Sequence, residues 1–89
     1  MNDKYFDVPL RELPYVINGI REVEEVEKLK IKSAIMYINL EFHALNCVGQ
    51  YDITNIVRQH NKIALWSFAK NHTINNPFVT VDIIVNWEE

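Results

Sequence analysis

His43 and Cys47 stand four residues apart, a spacing that on a helix puts an imidazole and a thiol on one face, as a zinc ion would require. His60 and His72 would complete a four-ligand set. The paired spacing of a zinc module is absent, however, and no metal or other cofactor is expected. The simpler reading makes Cys47 a small buried apolar residue and leaves the histidines partly exposed. Cys47 with a histidine could also form a nucleophile–base pair, but a reactive thiolate needs cationic surroundings or a helix terminus, and its neighbours Asn46 and Val48 supply neither. Glu41 and Asp52 could be imagined as an acid–base pair; a solvated strand residue and a helix cap account for them with fewer assumptions. The chain has no glycine-rich phosphate loop and no GxSxG, HExxH or CxxC motif. With only two glycines it is poorly equipped to build a pocket, and the expectation is a protein that is not an enzyme.

Composition narrows the class. Eighty-nine residues make one domain, 1–89, without room for two independent cores. The apolar share of 48% and charged share of 24% are those of a globular chain. A net charge of -3 argues against nucleic acid as a partner, because phosphate neutralisation draws on a basic excess. No apolar run approaches the roughly 18 residues needed to cross a bilayer, so no membrane is expected. Met1-Asn2-Asp3-Lys4 does not resemble a leader peptide, and a lone cysteine suits a reducing compartment, so the expected location is cytoplasmic.

Between Ser33 and Val57 only Glu41 and Asp52 carry a formal charge, so this stretch marks the centre of the molecule. Before it, Leu13, Ile17, Ile20, Val23 and Val26 recur at three- and four-residue steps, predicting a helix over 10–29 with Pro14 in its first turn and Gly19 at a kink or a close contact. Residues 31–45 fit two templates. With period two, Ala34, Met36, Ile38, Leu40, Phe42 and Ala44 share one face; as a helix, Ile31, Ile35, Ile38, Phe42 and Leu45 make a stripe. Val79, Val81, Ile83, Val85 and Trp87 alternate with Phe78, Thr80, Asp82, Ile84 and Asn86, which predicts a strand over 78–87. A strand needs a neighbour, and 31–45 is the best one within the chain, which favours its strand reading. Tyr5–Val8 could add an edge.

A second helix is expected over 52–69, capped by Asp52 after a turn at Val48-Gly49-Gln50-Tyr51. Its apolar face would hold Ile53, Ile56, Val57, Ile63, Ala64 and Phe68, with His60 on the same stripe and Arg58, Gln59, Asn61, Lys62 and Lys70 outward. Leu65 and Trp66 fall off that stripe. Either they meet a second surface, or 62–69 is a strand that hairpins into the last one. The fold class expected is α+β, with two helices packed on one face of a small sheet that includes the C-terminal strand. The alternative is a mostly helical domain, winged-helix-like or paired through its last strand in a dimer.

The run from Gly49 to His60 resembles the turn and second helix of a winged helix-turn-helix domain. That resemblance covers about a third of the chain and implies a DNA-binding regulator, with a recognition helix beginning near Asn61 and a wing ending in Val79–Trp87. The implied recognition helix departs from the family: Lys62-Ile63-Ala64-Leu65-Trp66-Ser67-Phe68-Ala69-Lys70 is too apolar for a major groove. Large rings point elsewhere. Trp66, Trp87, Tyr37, Tyr51 and Phe78, with Leu65 beside Trp66, are more apolar bulk than one small core readily hides, and they are the expected protein interface. The functional expectation is a small cytosolic protein-binding module acting as an inhibitor, adaptor or accessory subunit, its partner another protein or a second copy in a homodimer. Small phage and mobile-element proteins often have this character.

Overall fold

The computed structural model describes residues 1–39, 47–73 and 79–88. The chain runs β1 (Asn2–Pro9), one 3-10 turn (Leu10–Glu12), α1 (Leu13–Glu27), β2 (Lys30–Asn39), β3 (Cys47–Asp52), α2 (Thr54–Arg58), α3 (Lys62–His72) and β4 (Thr80–Glu88). The strands form one sheet in the order β1-β4-β2-β3, and every neighbouring pair is antiparallel. β1 and β2 therefore run parallel with β4 between them, and β3 and β4 run parallel with β2 between them. Each helical connection steps over one strand, giving two interlocked split β-α-β units.

The α+β class holds, as does the packing of helices on one sheet face. Ala34, Met36 and Ile38 of β2 and Val81, Ile83, Val85 and Trp87 of β4 are all buried, and they join Leu13, Val16, Ile17, Ile20, Val57, Leu65 and Ala69 from the helices in one core. Burial alternates along both strands because successive side chains leave a strand on opposite faces. β2 pairs with β4 inside the chain, in a register that sets Ala34 against Val85 and Met36 against Ile83. That pairing replaces the helical reading of 31–39 and the strand-paired dimer alike. The rest of the alternation, Leu40 to Ala44, lies outside the described residues.

Three boundaries differ from the expected ones. The first helix opens with a 3-10 turn and ends at Lys28, which takes the left-handed conformation (φ 56°) usual at a helix C-terminus. Gly19 faces Tyr5, whose hydroxyl a Cβ there would meet at 3.4 Å, an ordinary packing distance. Val48 to Tyr51, read as a turn, belongs to edge strand β3. Gly49 has its place there because a Cβ would press to 2.6 Å from the Tyr51 ring. The helix expected over 52–69 is two helices: it breaks after Arg58, and His60 adopts φ 53° at the elbow.

Hydrogen bonds from backbone and side chains secure these joins. Ile53 N–H donates to Ala34 C=O at 2.9 Å, and Ala34 N–H returns a bond to the Thr54 hydroxyl at 3.0 Å. The Asp52 carboxylate accepts from both the Thr54 hydroxyl and the Thr54 N–H, which, with the nearby Arg58 charge, lowers its pKa below the ordinary aspartate value. β2 carries a bulge between Ile31 and Ser33, and there the Arg58 guanidinium donates to the Ile31 carbonyl at 2.8 Å and to that of Lys32 at 3.3 Å. β1 bulges between Tyr5 and Val8, with Asp7 at φ 51° and its N–H bonded to the Asp82 carboxylate. No helix among the described residues is long and apolar enough to cross a membrane.

Candidate protein interface

α3 begins where Asn61 accepts a hydrogen bond from Ala64 N–H at 3.0 Å, an N-cap that resets the helical phase after the elbow. Counting continuously from Ile53 puts Ile63 inside and Leu65 outside. The reset reverses both: Leu65 is fully buried with Ala69, and Ile63 is 77% exposed. Leu65 is thus a core residue, and the expected surface patch of Leu65 with Trp66 does not form. Trp66, 39% exposed, stays on the outer side with the Lys70 ammonium 4.7 Å from its ring centroid. That cation–π contact joins residues four apart on one helical face.

The other expected interface residues lie elsewhere. Trp87 is 3% exposed on the helix-covered face of β4, its indole N–H donating to Asp3 at 2.8 Å. β4 is a central strand, so the free edge expected of it is already paired on both sides. The Asp3 charge also reaches Tyr5, whose hydroxyl pKa is raised first by burial and second by that carboxylate. Tyr37 stands half-buried on the opposite, helix-free face of the sheet, opposite Gln50 and Asp82. Tyr51 belongs to an aromatic cluster, edge-on to Phe68 at 5.7 Å and 4.4 Å from the His72 ring. Phe78 lies outside the described residues.

The described members of the sets that suggested chemistry, His60, His72 and Asp52, do not gather into one site. His60 Nε2 lies 2.6 Å from Glu24 Oε1, tying the α2–α3 elbow to α1. His72 stacks on Phe68 and shares a hydrogen bond with the Phe68 carbonyl. Among the described residues no three metal-ligating side chains come together. His43 and Glu41 lie outside the described residues, as does the side chain of Cys47.

Charge is also unevenly divided along the chain. From Ile53 through Val81 the chain has no aspartate or glutamate, while Arg58, Lys62 and Lys70 are basic. The α1 segment carries four glutamates and one arginine. A single helical layer is therefore split into an acidic helix and a cationic one, within a chain of net charge -3. The outer side of α3, Ile63 and Trp66 with Lys70, is apolar at its centre and cationic at its margin. Two other exposed rings, Phe6 and Tyr15, line a shallow cavity of about 230 Å³ between β1 and the start of α1. No protein-family model, curated protein or solved structure matches the chain.

Proposed function

We propose that this chain is a small protein-binding module that acts in the cytoplasm by association, as an inhibitor, adaptor or accessory subunit, and not by catalysis. The observation that carries this reading is the outer side of α3. A helix in a two-layer domain needs one buried stripe, which Leu65 and Ala69 provide with partly buried Phe68. Ile63 and Trp66 add nothing to that stripe, yet they place a large ring and a β-branched side chain in water beside a lysine. Tryptophan is the residue most enriched at binding hot spots, and a neighbouring cation both orients the ring and draws acidic partners.

Affinity capture from a native lysate tests this, with the wild-type chain and Trp66→Ala as paired baits. A partner held by the wild type should bind Trp66→Ala about 30-fold more weakly, the equivalent of a hot spot of about 2 kcal/mol. Equal capture by both baits removes α3 from the interface. A duplex-DNA gel shift run beside it tests the alternative of a DNA-binding regulator, now without its winged-helix architecture, since Val48 to Tyr51 lie in strand β3 and not in a helix-turn-helix turn. Low-micromolar binding whose log affinity falls linearly with log salt would favour that reading instead.

A further inference from the structure

We infer that the partner is a second copy of this chain, docked so that the outer stripe of α3 in each protomer lies against the outer stripe of α1 in the other. The inference rests on the reading of α3 as the binding surface and names its occupant.

Two observations carry it. The first is that α1 has the same anomaly as α3. Opposite its buried stripe of Leu13, Val16, Ile17 and Ile20, α1 exposes Tyr15 at 71% and Val26 at 69%, separated along the same side by Glu22 and Glu25. Residues 15, 22 and 26 follow one another at steps of seven and four, so they share a helix face. The second observation is charge. The α1 stripe sets its exposed apolar residues among carboxylates, and the α3 stripe sets Ile63 and Trp66 beside Lys70 with no carboxylate on its helix. Each stripe has the apolar centre and the opposite charge that the other calls for.

The topology allows both contacts at once. α1 and α3 lie in one layer and pack against each other, so a two-fold axis through that layer brings α1 to α3 twice. Such an interface is self-complementary, whereas face-to-face contact of like helices would set Glu22 and Glu25 against their own copies. Like charges directly opposed weaken association, which selects the α1-to-α3 arrangement. The helix-free sheet face lacks this division: Lys4, Asp52 and Asp82 mix both signs there.

Sedimentation of the purified chain from about 1 to 300 µM provides the test. The wild type should show a reversible monomer–dimer equilibrium, weakened about 30-fold in Trp66→Ala. Lys70→Glu and the double variant Glu22→Lys/Glu25→Lys should each dimerise at least about tenfold more weakly than wild type. Their mixture is decisive. A mixed dimer pairs the altered α3 with the altered α1 and the native α1 with the native α3, so both contacts regain opposite charges. The mixture should therefore associate more tightly than either variant alone. Unchanged circular dichroism and thermal midpoints would show that folding is not what changed. A wild-type chain that stays monomeric throughout overturns the self-association and leaves the α3 reading to the capture experiment. A dimer indifferent to all these substitutions overturns the α1-to-α3 docking, because its interface then lies elsewhere, and again leaves the α3 reading to the capture experiment.

Discussion

α1 and α3 lie side by side over the same sheet but divide their side chains differently between core and water. α1 places Leu13, Val16, Ile17 and Ile20 inside and sends most of its charge outward. α3 commits only Leu65 and Ala69 fully to the core and leaves Ile63 and Trp66 outside. A helix that is apolar on more than one side serves more than one surface. The contrast teaches that α1 is held by a broad core stripe and carries Tyr15 and Val26 outside among glutamates, whereas α3 is held by a narrow stripe and carries Ile63 and Trp66 outside beside Lys70.

The sharpest way to break this contrast is at Leu65. If α3 anchors to the core chiefly through Leu65, Leu65→Ala should lower unfolding free energy by about 2–5 kcal/mol in urea titrations, as for the buried Leu13 of α1. A loss under about 1 kcal/mol would mean that α3 is weakly held and that its outer residues are not fixed on the surface. Next in size is the cap. Asn61→Ala removes the hydrogen bond to Ala64 N–H and should cost about 1 kcal/mol, while Asn61→Ser should recover most of it. Ile63→Ala should change stability by no more than about 0.5 kcal/mol, read as a thermal midpoint, because the side chain is 77% exposed. A larger drop would place Ile63 in the core after all and erase the difference between the helices.

The smallest effect concerns the join before α2. The Asp52 pKa is lowered by its bonds to Thr54 and by Arg58, so its ionised form favours the folded state. That contribution is fully present above the ordinary aspartate pKa and is lost as pH falls through the lowered value, below about pH 4. Asp52→Asn should flatten the acid limb of a stability–pH curve slightly and leave neutral pH dependence unaltered. A change between pH 6 and 8 would point to another group.

How far these features could be read in advance depended on periodicity. β4 announces itself because apolar residues alternate without a miss from Val79 to Trp87, whereas β2 fits both a strand and a helix and is favoured as a strand by the neighbour that β4 needs. α1 announces itself through its three- and four-residue steps. The alternation in β4 places Trp87 on the face of Val81, Ile83 and Val85, so parity already marks it as core despite its bulk. β3 gives no such signal: Cys47-Val48-Gly49-Gln50-Tyr51-Asp52 is short, and its glycine invites a turn. The elbow at His60 was harder still. One residue in the left-handed region shifts every later residue around the helix axis, so an error at a single position moved Leu65 and Ile63 to the wrong sides. Asn61 held the clue, since asparagine is poor inside a helix and good at its start.

The placement of β4 between β1 and β2 also governs the order of events during synthesis. β1 and β2 emerge from the ribosome first, but neither has its main partner until Thr80–Glu88 has been made. Before that moment the sheet contact available among the described residues is the β2–β3 pairing, and Ala34, Met36 and Ile38 have no β4 to pair against. Most of the sheet must then assemble late and through contacts distant in sequence, which is slow compared with local helix formation. A nascent chain of this protein therefore spends its vulnerable interval with apolar strands uncovered, and a truncation before Thr80 should aggregate, not merely unfold.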